Sequence, residues 1–353
     1  MSTATTTRTY TAVVIGVGKV GGGGPKGGGH AIGYQHATMH KAHPRVQLAG
    51  GADINAENLK AFQDKFGVPH GFSDHKTMLS ELKPDLVSIG TYVGLHRRMI
   101  EDSARAGVKG ILCEKPFMNS PADLKAVERI AEETGVKIVV CHQRRYRPAF
   151  ERARQIYNDG TVGKPLLCTA GVGGWDLSEW GSHWLDMFRF FHLDQPVKWV
   201  FGQARVRETR GYGHAMEDHA VAYFEFENGS KGLLDGGQEI DGWTLTLLGT
   251  AGVIRVKNEA VVTVENGSGR TVEDFSAHPR HSALWHEMLD ELLLWIEGGP
   301  ATRCGHPTMF KSSELNLAVY LSAVKGDRID LPLSAELQAF NEWPVEALAR
   351  RKN

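Results

Sequence analysis

The chain has 353 residues, with 40 Lys and Arg against 41 Asp and Glu, a formal net charge of −1. Affinity for nucleic acid rests mostly on neutralising phosphates, so a balanced chain is not expected to bind DNA or RNA. Hydrophobic residues make up 41% and charged residues 23%, ordinary proportions for a globular protein. No apolar run reaches the roughly 18 residues that a membrane helix needs, and one core rarely grows past about 250–300 residues, which predicts two domains.

The opening MSTATTTRTY is polar and lacks the pattern of a secretory leader, which predicts a cytoplasmic protein. The run TAVVIG reads as a buried strand. A glycine-rich stretch and a helix over 34–42 follow. Strands are then predicted at 46–52, 86–89, 110–113 and 137–142, with helices at 56–66, 95–106 and 121–134 between them. Alternation of apolar strands with helices predicts a parallel sheet covered on both faces. After about Pro148 the pattern changes. A helix over 148–158 leads to a strand at 166–170 and a short helix at 182–191. Strands at 197–208, 219–226, 231–238, 243–248, 252–256 and 261–264 come next, with Asn228-Gly229 and Asn266-Gly267 marking tight turns. Helices at 282–297 and 311–325 close the chain. The expected fold class is α/β: an N-terminal Rossmann dinucleotide-binding domain, residues 1–142, plus a C-terminal α+β domain, residues 143–353, with a large open, mostly antiparallel sheet. Cys113, Cys141, Cys168 and Cys304 are scattered without ligand spacing and read as reduced, buried thiols.

The segment from Gly16 to Ala37 follows a strand and precedes a helix, the setting in which a glycine motif has meaning. Gly16 permits a sharp turn and Gly18 lets backbone approach a pyrophosphate. A dinucleotide domain carries an acidic residue about 20 positions beyond the motif. Asp53 lies 20 residues after Gly33 but 32 after Gly21. Gly33 is therefore the glycine that packs the helix, and residues 19–30 are an insertion: a surface loop, a lid carrying Lys19 or Lys26 to a phosphate, or a subunit contact. Lys19, Ala31 and Ile32 join Gly16 and Gly18 as candidate cofactor-binding residues. Asp53 would bind the adenosine ribose and repel a 2′-phosphate, which predicts NAD over NADP.

Four local signatures give the chain a wider resemblance. They are the glycine loop with His36 in its helix, Thr91-Tyr92-Val93-Gly94-Leu95-His96, Cys113-Glu114-Lys115-Pro116-Phe117, and Glu179-Trp180-Gly181-Ser182-His183-Trp184-Leu185-Asp186. With Gln143-Arg144-Arg145-Tyr146 and Gly163-Lys164-Pro165, the chain resembles the glucose–fructose oxidoreductase / inositol dehydrogenase / rhizopine catabolism family, Gfo/Idh/MocA, from about Ala12 to Leu333. It departs in Tyr92, where the family has proline, in Glu179, often Asp, and in the insertion.

The resemblance implies an NAD-dependent oxidoreductase that moves a hydride between nicotinamide and a secondary alcohol of a sugar, glycoside or cyclitol. Lys115 and His183 would be its acid/base pair. An ammonium can stabilise a developing alkoxide, and an imidazole with a pKa near 6.5 can take the proton. Glu179, four residues before His183, would orient the imidazole or bind a hydroxyl. Thr91, Tyr92, His96, Glu114, Lys115 and Gln143 are implied at the cofactor. Arg144, Trp175, Glu179, Trp180 and His183 are implied at the substrate, where indole faces suit the C–H faces of sugar rings. Asp186 reads as structural, bonded to backbone or to an arginine. His36, His40 and His43 share a helical face, but no carboxylate or cysteine of suitable spacing joins them, so no metal is expected. A homodimer or homotetramer through the C-terminal sheet is implied, with no membrane partner. Two rivals remain: an NAD-dependent glycoside-cleaving enzyme using transient oxidation, and a noncatalytic NAD-binding regulator.

Overall fold

The structure, a computed structural model, describes residues 8–18, 32–173, 176–206, 209–210, 214–238, 243–278 and 282–351. The chain divides into two compact units. The first comprises Met1–Phe117, Ala126–Cys141 and Leu289–His306; the second comprises Met118–Lys125, His142–Met288 and Pro307–Asn353.

The first unit is built on six strands: β1 (Tyr10–Ile15), β2 (Val46–Ala52), β3 (His70–Phe72), β4 (Leu86–Ile89), β5 (Gly110–Cys113) and β6 (Lys137–Val140). All pair in parallel, in the order β3-β2-β1-β4-β5-β6. This is the doubly wound dinucleotide-binding order, in which the chain reverses direction across the sheet between β1 and β4. The strands β4 and β5 are buried at every residue, as apolar strands covered on both faces should be. Helices α1 (Ile32–Ala42), α2 (Ala56–Phe66), α3 (His75–Leu82), α4 (Val93–Arg105) and α5 (Pro121–Thr134) alternate with them. Val14, Val17, Tyr34, Ala37, Phe62, Phe66 and Val68 form one buried cluster between β1, α1 and α2.

Local chemistry sets the ends. Asn55 caps α2 by accepting from the backbone N–H groups of Glu57 and Asn58, at 2.9 and 3.0 Å. Gly67 ends it with φ +63°, a left-handed turn that glycine adopts at little cost. The helix expected from residue 95 starts at Val93, because Tyr92 is already extended, with φ −69° and ψ 149°. The last strand ends at Val140 instead of 142, and Gln143–Tyr146 forms a 3-10 turn. Sequence periodicity does not reveal β3 or α3. The strand has three residues, none fully buried, and the helix buries only Met78 and Leu79 as apolar anchors.

The second unit opens with α6 (Pro148–Asn158), β7 (Pro165–Gly173), a π-helical turn at Leu177–Gly181 and α7 (Ser182–Phe191). Then come β8 (Val197–Arg205), the short pair β9 (Thr209–Arg210) and β10 (His214–Ala215), β11 (His219–Phe226), β12 (Lys231–Gln238), β13 (Trp243–Gly249), β14 (Gly252–Lys257), β15 (Val261–Asn266) and β16 (Gly269–Asp274). The chain ends with α8 (Ser282–Ile296), α9 (His306–Lys325), β17 (Ile329–Asp330), α10 (Ala335–Gln338) and α11 (Pro344–Arg350). Nine strands form one sheet in the order β16-β15-β14-β13-β7-β12-β11-β8-β17. Every pairing is antiparallel except β7 with β12, which is parallel. The sheet is thus mixed, although successive strands with tight turns predict only hairpins.

One face of this sheet is covered. Along β11, Ala220, Ala222, Phe224 and Phe226 are buried while the alternate residues are half-exposed. Phe224 meets Phe188 of α7 with ring centroids 6.0 Å apart, and His192 stacks on Phe226 at 4.2 Å. The backbone of β8 lies directly on α9: the Gly202 N–H donates to Ser322 Oγ at 2.8 Å. A Cβ at Gly202 would stand 2.3 Å from the Val319 carbonyl oxygen. The Gly202→Ala variant must push helix from strand, so it should lose about 1–3 kcal/mol of stability, read as a lower urea midpoint with an unchanged slope.

Candidate active site

The first unit carries a turn shaped for close backbone approach. Gly16 and Gly18 follow β1 with φ of +78° and +73°. A Cβ at Gly16 would lie 2.7 Å from Thr91 Cγ2, and one at Gly33 would lie 2.6 Å from the carbonyl oxygens of both Gly16 and Val17. Gly33 therefore packs α1 against the turn. Asp53 follows β2 half-buried; its Oδ2 accepts the Gly18 N–H at 3.2 Å and its Oδ1 accepts the Asn55 N–H at 2.9 Å. The buried Thr91 Oγ1, after β4, has no hydrogen-bond partner among the described residues. An acidic strand end, a turn with glycine on either side of Val17 and an unsatisfied buried hydroxyl together fit a dinucleotide.

Lys115 sits just beyond β5 on a segment that is held from behind. The carboxylate of Glu114 is buried; its Oε1 pairs with His36 Nε2 of α1 at 3.2 Å and its Oε2 accepts the Lys115 N–H at 3.3 Å. Burial pushes the Glu114 pKa up, but the His36 hydrogen bond and the charges of His36 and Lys115 outweigh it, leaving the carboxyl below its ordinary value. Cys141 joins this pair, with ligand atoms of all three residues within 4.8 Å of one another. Burial, then Glu114, pushes the Cys141 thiol well up, so it stays protonated and can donate. The other histidines of the α1 face go elsewhere: His40 pairs with Ser88 at 2.7 Å and His43 with Asp290 at 2.9 Å. Burial, with His36 and His43 nearby, lowers the His40 pKa to about 3. The ring of His96 lies between two carbonyls, Phe117 O at 3.0 Å and Thr91 O at 2.9 Å, and braces one loop against the other.

In the second unit a buried ionic network lies beside His142. Arg145 grips two carboxylates, each through two bonds: Asp186 at 2.8 and 2.8 Å, and Asp194 at 2.9 and 2.7 Å. Ser312 of α9 donates to Asp186 Oδ1 at 2.7 Å and accepts from Arg189 at 2.6 Å. Burial raises the Asp186 pKa, but the Arg145 charge, followed by His142, more than reverses it and holds the group at about 2. His183, at the start of α7, is 1% exposed. Its Nδ1 lies 3.3 Å from Nδ1 of His142, the rings meeting edge to face at 87°. Arg144 is buried, bonded to Glu259 at 2.7 Å, with its guanidinium 5.6 Å from the centre of the Trp184 ring. The Gln143 Oε1 is buried with no partner among the described residues.

Two family descriptions match the chain. "Oxidoreductase family, NAD-binding Rossmann fold" covers residues 11–142, and "GFO/IDH/MocA C-terminal domain" covers 150–255. The chain belongs to the Gfo/Idh/MocA oxidoreductase family. Among the curated relatives of this Gfo/Idh/MocA protein is a D-apiose dehydrogenase of Rhizobium rhizogenes, 24% identical over 86% of this chain and 97% of the relative. A myo-inositol 2-dehydrogenase of Thermotoga maritima is 27% identical over 58% of this chain and 65% of the relative. Among solved structures, a levoglucosan dehydrogenase in complex with NADH shares the fold with a TM-score of 0.78 at 17% identity, over 93% of this chain and all of that one. The protein is therefore an oxidoreductase that acts on CH–OH groups with NAD.

The expected site residues of this family member divide between the units. The first unit holds Gly16, Gly18, Ile32, Asp53, Thr91, Tyr92, His96, Glu114 and Lys115; the second holds Gln143, Arg144, Trp180 and His183. Tyr92 is 47% exposed and Trp180 half-buried. Lys19, Ala31, Trp175 and the side chain of Glu179 lie outside the described residues, as does the insertion 19–30. Asp186 is bonded to an arginine, Arg145, as read from the sequence. His142 was not singled out there. Its one signal is a polar residue placed two positions after the last parallel strand, at the edge where such folds bind ligands.

The Asp186 carboxylate sits below its ordinary 3.8, so its stabilisation is complete above about pH 4 and drains away as the pH falls toward 2. An Asp186→Asn variant should lose about 3–5 kcal/mol at neutral pH, because Arg145 keeps only one counter-charge. Urea unfolding at pH 7 and pH 3 should show the gap to wild type narrowing at the lower pH.

Proposed function

We propose that this protein oxidises a secondary alcohol of a sugar, glycoside or cyclitol, with Lys115 and His183 as the acid/base pair. What carries the reading is a lysine whose backbone is anchored by the buried Glu114 carboxylate, in a chain whose curated relatives include a D-apiose dehydrogenase, inositol dehydrogenases and a D-glucoside 3-dehydrogenase. Bound NAD supplies the hydride acceptor. Asp53 takes the ribose hydroxyls, and the glycine turn with Thr91 holds the rest of the dinucleotide. The Lys115 ammonium donates a hydrogen bond to the reacting oxygen and offsets the negative charge that grows there as the C–H bond breaks. The His183 imidazole takes the hydroxyl proton. Glu179 orients that imidazole or binds a neighbouring hydroxyl, and Trp175 and Trp180 offer faces to the ring of the substrate.

The experiment is a panel of aldoses, glycosides and inositols with NAD and NADP, followed at 340 nm. Net NADH formation with at least one of them is expected. Lys115→Ala should lower kcat by about 10²–10⁴-fold, and Asp53→Ala should raise the KM for NAD and bring NADP close to parity. Glycoside cleavage without net reduction, or full activity in Lys115→Ala, would overturn the reading.

We also propose a homodimer or homotetramer through the uncovered face of the large sheet. Along its central strands that face carries Trp199, Phe201, Val221, Tyr223 and Leu233, each half-exposed or exposed, a contiguous apolar strip of the kind that partner surfaces cover. Light scattering should give at least twice the 38.8 kDa chain mass, and Phe201→Glu with Tyr223→Glu should shift it to one.

A further inference from the structure

We infer that Glu217 is a positioning residue: its carboxylate pins the π-helical turn Leu177–Gly181 and so sets where the substrate residues on that turn stand. The inference rests on the reading above, in which Glu179, Trp180 and His183 meet the sugar.

The first N–H groups of a helix have no partner inside it. The helical stretch that runs through this turn into α7 begins at Leu177, which is fully buried, so bulk water does not reach its N–H. The partner comes from a distant segment. Oε1 of Glu217, 40 positions along the chain and between β10 and β11, accepts that N–H at 2.5 Å. A carboxylate at this end also suits the helix dipole.

Glu217 is itself fully buried, where a carboxylate is costly unless hydrogen bonds hold it. The hydroxyl of Tyr320 in α9 donates to the same Oε1 at 2.7 Å. Tyr320 packs on Trp343, ring centroids 5.2 Å apart, and Trp343 Nε1 donates to the Ala215 carbonyl at 2.9 Å. Glu346 of α11 accepts the Ala215 N–H at 2.5 Å. The strand end ahead of Glu217 is thus clamped on both its backbone groups, and the carboxylate reaches Leu177 from a fixed base. An apolar side chain could fill the same space, but it could not accept the N–H.

The turn is wider than an α-helix. The Gly181 N–H donates to the Asp176 carbonyl, five residues back, at 2.9 Å. Leu177 also closes the turn with its side chain: a Cβ at Gly181 would lie 2.7 Å from Leu177 Cδ1. Once Leu177 loses its acceptor, the turn can tighten to the step of an α-helix. Residues ahead of that step would then swing by about 100° relative to those after it, the angle of one helical residue. Glu179 and Trp180 belong to the turn, whereas His183 lies beyond it in α7. Glu217 therefore acts on substrate binding through the turn.

Amide hydrogen exchange on the full-length protein tests the pin, and steady-state kinetics test its consequence. In wild type the Leu177 amide should exchange as slowly as those inside α7, although it opens the helix. In Glu217→Ala it should exchange about tenfold faster or more, as expected for losing one hydrogen bond to a carboxylate, while the amides of β13 and β14 keep their rates. With the sugar found in the panel, the same variant should raise the KM for sugar about tenfold and leave the KM for NAD within about twofold. A general loss of stability would not separate the two. Glu217→Gln, whose amide oxygen accepts, should stay near wild type in both measurements. Glu217→Asp keeps the charge but withdraws the acceptor by one methylene; it should follow Glu217→Ala and replaces it if the alanine variant does not fold. A Leu177 amide that exchanges freely in wild type, or whose rate is unmoved in Glu217→Ala, would overturn the pin. A sugar KM that Trp180→Ala raises and Glu217→Ala leaves alone would overturn the positioning role. If Trp180→Ala leaves that KM unmoved as well, the placing of Trp180 at the substrate falls instead, and the exchange rates still decide whether Glu217 pins the turn.

Discussion

A single guanidinium organises the second unit. Arg145, 1% exposed, projects from the 3-10 turn that His142 precedes and that also carries Gln143 and Arg144. Through Asp186 it is tied to α7, through Asp194 to the segment after that helix, and through Asp186 and Ser312 to α9. Burying a charge this deeply is tolerable because two carboxylates share the planar fork. The arrangement specifies more than it stabilises. Apolar groups of the same volume could fill the space, but they would not fix the rotation of α7 about its axis, and that rotation sets where His183 stands.

The first unit achieves a comparable result with neutral packing and one carboxylate. Gly16 and Gly33 let two backbones touch, and Glu114 gathers a histidine, a thiol and a backbone N–H behind the lysine. In both units the side chain expected to do chemistry neighbours a buried polar assembly, His36 with Glu114 in the first and Arg145 with Asp186 and Asp194 in the second. Such support fixes the backbone from which the lysine projects.

Much of this was legible in the sequence. The parallel strands announce themselves as β-branched runs. The spacing from Asp53 selects Gly33 over Gly21, and the 2.6 Å approach at Gly33 gives the physical reason. Other features leave no local trace. β3 and α3 are too short and too exposed to show a period. The pairing of His36 with Glu114 joins residues 78 positions apart. Arg144 and Arg145 are neighbours in sequence and look alike, yet one is held by Glu259 and the other by Asp186 and Asp194. Only the three-dimensional path separates them.

The parallel pairing of β7 with β12 has a consequence for how the sheet assembles. The first strand of that sheet to leave the ribosome occupies its middle, with β12 on one flank and β13 on the other. Neither neighbour can be reached by a hairpin. Both must wait until some sixty or more intervening residues have been threaded, which is an entropically slow closure. Until then β7 keeps two unsatisfied edges, and the nascent chain is most exposed to chaperones, or to mispairing with a neighbouring copy, through the strand that ends at the middle of the sheet.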